Sequence, residues 1–487
     1  MLFNSFTYLV YLPIVVSLYW VLPSRFRTTL LLVASYVFYM NWIPAYGALI
    51  LVLTIVNYFV GLGIARSEQG KKAILLGGLI FNLSCLCFFK YANFVVDSAI
   101  ASINAVLHLT AANPTVISSP ALKIILPLGI SFFTFEFIHY ITDVYRGSKP
   151  VRNFRDFALF AAFFPSQIAG PIKRFQDFMH QLEEKIEFRA DNFRDGLYLI
   201  FQGLFKKIVL GDNMGRVVGT GFDHIAQLGT LDAWIAVAGF TFQIFFDFSG
   251  YTDIGRGSAL LFGYKVPENF NWPFLAANLT EFWRRWHMSL STWLRDYLFI
   301  PMGGSRGSAW KVRRNIFLTM VLGGLWHGAA WHYVIWGAFH GAGLLVSKEW
   351  QDFVTARARL AKLRPQAIWH WAGVACTIFF LFIAGILFRA DGMPQAVQMV
   401  AKMFVPADST SVVQELLSST VPLSLTLYCS FLFLKSMVEK SGSHLVHQVQ
   451  AWWLQSIPAQ AFAYASLAIV ILGFAPLQVA PFIYFQF

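Results

Sequence analysis

Long apolar runs alternate with short basic connections through most of this chain. No Asp, Glu, Lys or Arg occurs from Thr28 to Ala65, and Asn41-Trp42-Ile43-Pro44 interrupts the run with turn-forming residues. A helix that crosses a membrane needs about 20 mostly apolar residues. The pattern therefore predicts two spans joined at that turn. Residues 1–22 read as an earlier, retained span: no basic residue precedes Arg25 and no cleavage site is evident. Further candidate spans are 73–89, 124–141, 157–168, 197–209, 231–248, 316–325, 331–346, 368–388, 423–434 and 462–485. Several are too short to cross alone, which predicts slanted or re-entrant helices buried within protein. The expectation is an all-α multi-pass membrane protein, a single domain over residues 1–487, with about ten to twelve crossings plus half-helices.

Composition sharpens this reading. Charged residues make up 13% of the chain, against roughly 25% in soluble domains. That excludes a soluble enzyme, a disordered chain and a secreted disulfide scaffold. Cys85, Cys87, Cys376 and Cys429 all lie in apolar runs, so neither a disulfide framework nor a zinc site is readable. The net charge of +12 fits loops that follow the positive-inside rule. A basic mouth would also attract a phosphorylated cofactor. Arg25 and Arg27, then Arg66, Lys71 and Lys72, then Arg146, Lys149, Arg152 and Arg155 mark loops two spans apart. They are expected on the cytoplasmic side, with the N-terminus outside. Residues 348–364, polar and basic, are expected to be cytosolic or interfacial.

Residues 247–314 break the pattern by crowding charged, aromatic and glycine residues together. Ionisable groups within a membrane domain are costly and point to function; a long amphipathic loop is the bland alternative. His327 lies in Gly323-Gly324-Leu325-Trp326-His327-Gly328-Ala329-Ala330, in a stretch without charge from Asn315 to Ser347. Apolar surroundings favour neutral imidazole, the form a general base needs. The flanking small residues would let a substrate chain approach the backbone. A histidine satisfied by a neighbouring helix is the alternative. His287, four residues after Trp283, would share a helix face with it. Arg284 and Arg285 could meet phosphates or Glu281; an interfacial aromatic and basic belt is the alternative. Gly303 to Ser308, followed by Lys311, Arg313 and Arg314, could form an anion nest or a plain turn. No metal-binding spacing is present. After Lys440 the chain carries no charged side chain, and it ends Pro481-Phe482-Ile483-Tyr484-Phe485-Gln486-Phe487. This tail reads as an aromatic anchor, or as a way to present the Tyr484 hydroxyl as a nucleophile in a cavity.

Taken together, Gly170-Pro171-Ile172, Asp247-Phe248-Ser249-Gly250-Tyr251-Thr252-Asp253, residues 282–301 and residues 322–341 resemble the membrane-bound O-acyltransferase (MBOAT) family. The similarity is greatest to its bacterial alginate O-acetyltransferase branch, and residues 126–146 also match that branch's pattern. Trp-Arg-Arg-Trp-His followed by Trp-His-Gly-Ala is its specific part. The resemblance implies a ring of helices around a funnel, with a core over about 120–345 and a C-terminal tail over 481–487. It implies His327 as the catalytic histidine and His287 as a second active-site residue. No resident cofactor is implied; acetyl-CoA would be the cytosolic acyl donor, with Arg284, Arg285, Arg306 and Arg313 as candidates to hold it. The acceptor would be an exported polysaccharide, at the bacterial inner membrane. Phe482, Tyr484 and Phe487 are similar to the Phe-x-Tyr-x-x-Phe ending of the small peptide of teichoic acid D-alanylation. That similarity implies Tyr484 as a transient acyl carrier and a periplasmic SGNH-hydrolase-type partner. Glu136 and His139 depart from the family, which often has Gln or His and Ser there. Peptidoglycan or cellulose acetylation by the same chemistry stays open, as does a non-enzymatic transporter, polymer-export component or scaffold.

Overall fold

The computed structural model describes residues 1–110, 117–118, 122, 124–168, 170–357, 367–408, 411–441, 452–453, 456–475 and 482–483. Among them every regular element is helical. Phe6–Val21, Ser24–Met40 and Ala45–Arg66 form at the first three predicted runs, and the second and third meet at Asn41–Pro44. Among the described residues five helices are long and apolar enough to cross a membrane, including Thr230–Leu261 and Ala367–Arg389. Two shorter apolar helices, Phe6–Val21 and Val421–Ser430, accompany them. Apolar side chains point outward where soluble proteins place charge: Ile469 and Leu472 are 70% and 72% exposed. Such a surface is stable against lipid rather than water. The protein is a membrane protein.

Thr230–Leu261 is the central helix. It runs through the predicted span and on into the Asp247–Asp253 motif, so the motif's charges lie inside the protein and not in a loop. Its 32 residues extend about 48 Å at 1.5 Å per residue. Helix Ala190–Leu204 lies against it with Gly203 facing Gly250; a Cβ on Gly203 would stand 2.5 Å from the Gly250 carbonyl oxygen. Close backbone approach through small residues replaces the missing hydrophobic drive between helices in lipid.

The basic loops gather at one end of the molecule. The Arg27 guanidinium donates to the Ile186 carbonyl at 3.2 Å, Lys71 lies over the Tyr145 ring, and Arg146 donates to the Asp296 carbonyl at 3.1 Å. At the opposite end Thr230 donates to the Val405 carbonyl, and Arg389 pairs with Asp223. The segment predicted as one helix over 157–168 is instead two short pieces, Phe154–Ala162 and Phe164–Gln167, broken at Phe163. The last predicted span, 462–485, ends as a helix at Phe474.

Candidate active site

His327 is the last residue of helix Ala309–His327, which starts at the basic end. Eighteen residues on, it lies about 27 Å along the axis. After Gly328 the chain turns and Trp331–Thr355 runs back. Gly324 faces Gly337 across this hairpin; a Cβ there would stand 2.8 Å from the Gly337 backbone. Gly324 thus serves helix–helix contact, whereas Ala329 and Ala330, the small residues after His327, line a cavity.

The turn is held from a third helix. Lys71–Leu86 continues through a π-type turn, Cys87–Tyr91, into Ala92–Thr110. The wider turn aims Lys90 at the end of the His327 helix. Its ammonium donates to the Trp326 carbonyl and, at 3.1 Å, to the His327 carbonyl, while the Tyr91 hydroxyl donates to Leu325 at 2.8 Å. A helix C-terminus leaves its last carbonyls without intrahelical partners and carries partial negative charge, so a cation there meets both needs. Sequence reading missed Lys90 because the predicted span stopped one residue short of it. A charge amid apolar residues was the available signal.

His287 is not on a common helix face with Trp283. Helix Leu279–Arg285 ends before it, Met288–Leu294 begins after it, and His287 itself is left-handed at φ 42°. Non-glycine residues rarely adopt that conformation, and such strain clusters at functional sites. Asn269, fully buried, clamps the turn: its carbonyl accepts from Met288 N–H at 3.0 Å and its side chain from Ser289 N–H and Oγ. His287 is 1% exposed, yet neither ring nitrogen has a hydrogen-bond partner among the described residues.

Trp326 joins the two histidines, its ring 6.1 Å from His287 and 4.9 Å from His327. Phe135 stacks on Trp326 and on Trp293, which fixes the platform. His327 also meets Trp336 at 5.0 Å and Phe388 at 5.2 Å. Among the described residues, three cavities lie around this centre. A narrow apolar one of about 50 Å³ is lined by His327, His340 and Trp336. One of about 160 Å³ opens at the basic end beside Arg174, Ser289 and Tyr297. One of about 680 Å³ lies on the other side, lined by Ala329, Ala330 and Tyr333, just after His327, and by Lys207, Asp247 and Arg389. Two buried histidines between cavities of opposite ends can serve a transfer whose reactants arrive from opposite sides.

The family model of the membrane-bound O-acyltransferases matches residues 145–390, a stretch that contains both histidines. The chain belongs to the membrane-bound O-acyltransferase family. It is accordingly an O-acyltransferase. It is 42% identical over 420 residues to the probable alginate O-acetylase AlgI of Azotobacter vinelandii, covering 84% of this chain and 79% of that one. The peptidoglycan O-acetyltransferase of Helicobacter pylori is 34% identical over 440 residues, covering 83% and 80%. The teichoic acid D-alanyltransferase of Bacillus subtilis is 35% identical over 229 residues, covering 44% and 56%.

Within this O-acyltransferase the other predicted residues sit apart from the histidines. Arg284 is exposed, and Arg285 pairs with Glu281 at 2.5 Å. Arg306 is exposed and Arg313 pairs with Glu349, both toward the basic end. None of the four lines the three cavities. The glycine loop is not an open nest, because the Gly303, Gly304 and Arg306 N–H groups donate to chain carbonyls. The arginine at the basic-end cavity is Arg174, which donates to Asp296. Partial burial pushes the Asp296 carboxyl up, but hydrogen bonds from Arg295 and Arg174 outweigh it and hold it below the usual carboxylate range. Glu136 and His139 fix the neighbouring wall: Lys173 donates to both Glu136 oxygens at 2.8 Å, and His139 Nε2 accepts from Phe175 N–H. Among the described residues no cluster of His, Cys, Asp or Glu is built to hold a metal. Tyr484 and Phe487 lie outside the described residues, as does part of 348–364.

Proposed function

We propose that this protein moves acetyl groups from cytosolic acetyl-CoA, across the bacterial inner membrane, to an exported or cell-envelope polysaccharide. The observation that carries the reading is His287, buried with neither ring nitrogen hydrogen-bonded among the described residues, beside His327 across Trp326. Buried polar groups are normally hydrogen-bonded, so a substrate is the natural partner for this imidazole. The gathering of basic loops at one end supports a cytosolic assignment for that end by the positive-inside rule. Acetyl-CoA, charged and membrane-impermeant, would then approach by the cavity beside Arg174. An alginate-like acceptor is favoured by the relatives named alginate O-acetylase, which cover most of the chain. The relative named peptidoglycan O-acetyltransferase keeps peptidoglycan as the second reading.

In the proposed step the Tyr484 hydroxyl attacks the thioester carbonyl. His327 takes the hydroxyl proton as the C–O bond forms, and His287 donates to the oxyanion of the tetrahedral intermediate. Collapse breaks the C–S bond, and the thiolate leaves with the proton held on His327. A periplasmic SGNH-hydrolase-type partner then takes acetyl from the tyrosine to a sugar hydroxyl. Labelled acetyl-CoA tests this with purified protein. Label held by wild type and lost in both His327→Ala and Tyr484→Phe is expected. Label unchanged in Tyr484→Phe would remove the tyrosine carrier and keep the enzyme. Neither label nor CoA release, with acceptor and partner present, would remove acetyl-CoA as donor.

A further inference from the structure

Beyond the helix that ends at Phe474, Phe482 and Ile483 are the described residues of the tail. Both are buried in the protein's centre, at 0% and 5% exposure. The Phe482 ring stacks on Tyr251 at 4.5 Å and lies 5.5 Å from Phe248, and Phe248 is 4.6 Å from His287. One ring therefore separates the tail from the second histidine. The Ile483 N–H donates to Asp247 Oδ2 at 2.7 Å, and Ile483 lines the 680 Å³ cavity.

Charge counting shows that Asp247 is more than a partner for lysine. The Lys207 ammonium lies 2.5 Å from Asp247 Oδ1 and 2.6 Å from Asp212 Oδ1. Asp212 alone would neutralise it. A second buried carboxylate is costly unless further hydrogen bonds satisfy it. The tail supplies one, through its backbone. Asp247 thus divides its two oxygens between the ammonium and the tail.

We infer that Asp247 is a positioning residue that receives the C-terminal tail through the Ile483 N–H, while the ring slot for Phe482 sets the register in which Tyr484 follows. The backbone contact anchors the tail whatever its side chains, and the aromatic slot of Tyr251 and Phe248 selects Phe482. Slippage by one residue would take the Phe482 ring out of that slot. The inference rests on the tyrosine carrier proposed above only for its purpose; the docking itself stands on the contacts.

The test uses the full-length protein in detergent. Ile483→Pro deletes the N–H, and Ile483→Ala keeps it while shrinking the side chain. Asp247 is untouched in both, so the Lys207 network keeps its partners. Two readouts are taken: carboxypeptidase trimming of the tail without donor, and acetyl label on the C-terminal peptide after acetyl-CoA. Trimming at least tenfold faster in Ile483→Pro than in Ile483→Ala, with label at least tenfold lower, is expected. Equal trimming in the two variants would show that side-chain burial holds the tail and would overturn the role of Asp247. Faster trimming with full label in Tyr484→Phe would keep the docking and remove the carrier.

Discussion

The Lys90 ammonium lies 3.1 Å from the carbonyl oxygen of His327 and also binds that of Trp326. A lysine from one helix thereby holds the end of another, at the histidine proposed above as the general base. Hydrogen bonds to a charged group contribute about 1.5–3 kcal/mol, and a cation at a helix C-terminus up to about 2 kcal/mol in buried geometry. Lys90→Met should therefore leave the hairpin assembled but loosen the His327 turn. The expected result is a kcat lowered about 10- to 100-fold with KM for acetyl-CoA changed less than threefold. Lys90→Arg, which keeps the charge, should recover part of the loss. Equal loss in both, together with loss of folded protein on size exclusion, would assign Lys90 to stability alone.

The left-handed backbone at His287 separates its two contributions. Asn tolerates this conformation, whereas a β-branched residue does not. His287→Asn should fold like wild type and lose transfer by about 10-fold or more, because its amide still donates but does not reach as far as the imidazole Nε2. His287→Val should lose transfer and also about 1–3 kcal/mol of stability from backbone strain. Thermal unfolding in detergent beside the acetyl-transfer rate distinguishes the two. Wild-type activity in His287→Asn would remove the imidazole from the reaction.

Gly324 offers a purely steric check on the hairpin. A Cβ there meets the Gly337 backbone, which cannot move aside as a side chain would. Gly324→Ala should therefore destabilise by about 1–3 kcal/mol, the range for overpacking, despite the better helix propensity of alanine. A rise in unfolding temperature would contradict the packing described here.

Much of this was legible in the sequence. Uncharged runs mark the helices because lipid excludes charge, and His327 stood out in such a run by its Trp-His-Gly-Ala setting, apart from His332 and His340 in the same stretch. The break at His287 was not legible, since no Gly or Pro announces it; Asn269, eighteen residues earlier, imposes it from outside. The roles within the 247–253 motif were hidden for a similar reason. Asp253 answers Lys206, and Asp247 answers Lys207 and the tail, partners that only folding brings near. Among the described residues three π-type turns carry charged side chains: Lys90 in one, Lys206, Lys207 and Asp212 in another, Arg295 and Asp296 in the third. Such turns often mark functional sites but leave no periodic signature. Arg284, Arg285, Arg306 and Arg313 stand in charge-dense stretches, whereas proximity to the centre depends on helix direction.

Glu136 and Lys173 form an ion pair with side chains 5% and 3% exposed. Removing one partner of such a pair strands a charge and costs about 3–5 kcal/mol, while replacing both by apolar residues is often neutral or stabilising. Lys173 lies between Ile172 and Arg174, both on the wall of the basic-end cavity, and Ile172 N–H is held by Ser289 Oγ. The pair thus holds that wall as well as the fold. Glu136→Leu alone should lower the unfolding temperature and the yield of folded protein. The double variant Glu136→Leu, Lys173→Met should restore both. If the wall matters to the donor, the double variant should still show a raised KM for acetyl-CoA, because Arg174 loses its anchored neighbour. Recovery of stability with an unchanged KM would confine the pair to folding. Failure of the double variant to recover stability would show that a further buried group depends on the charge.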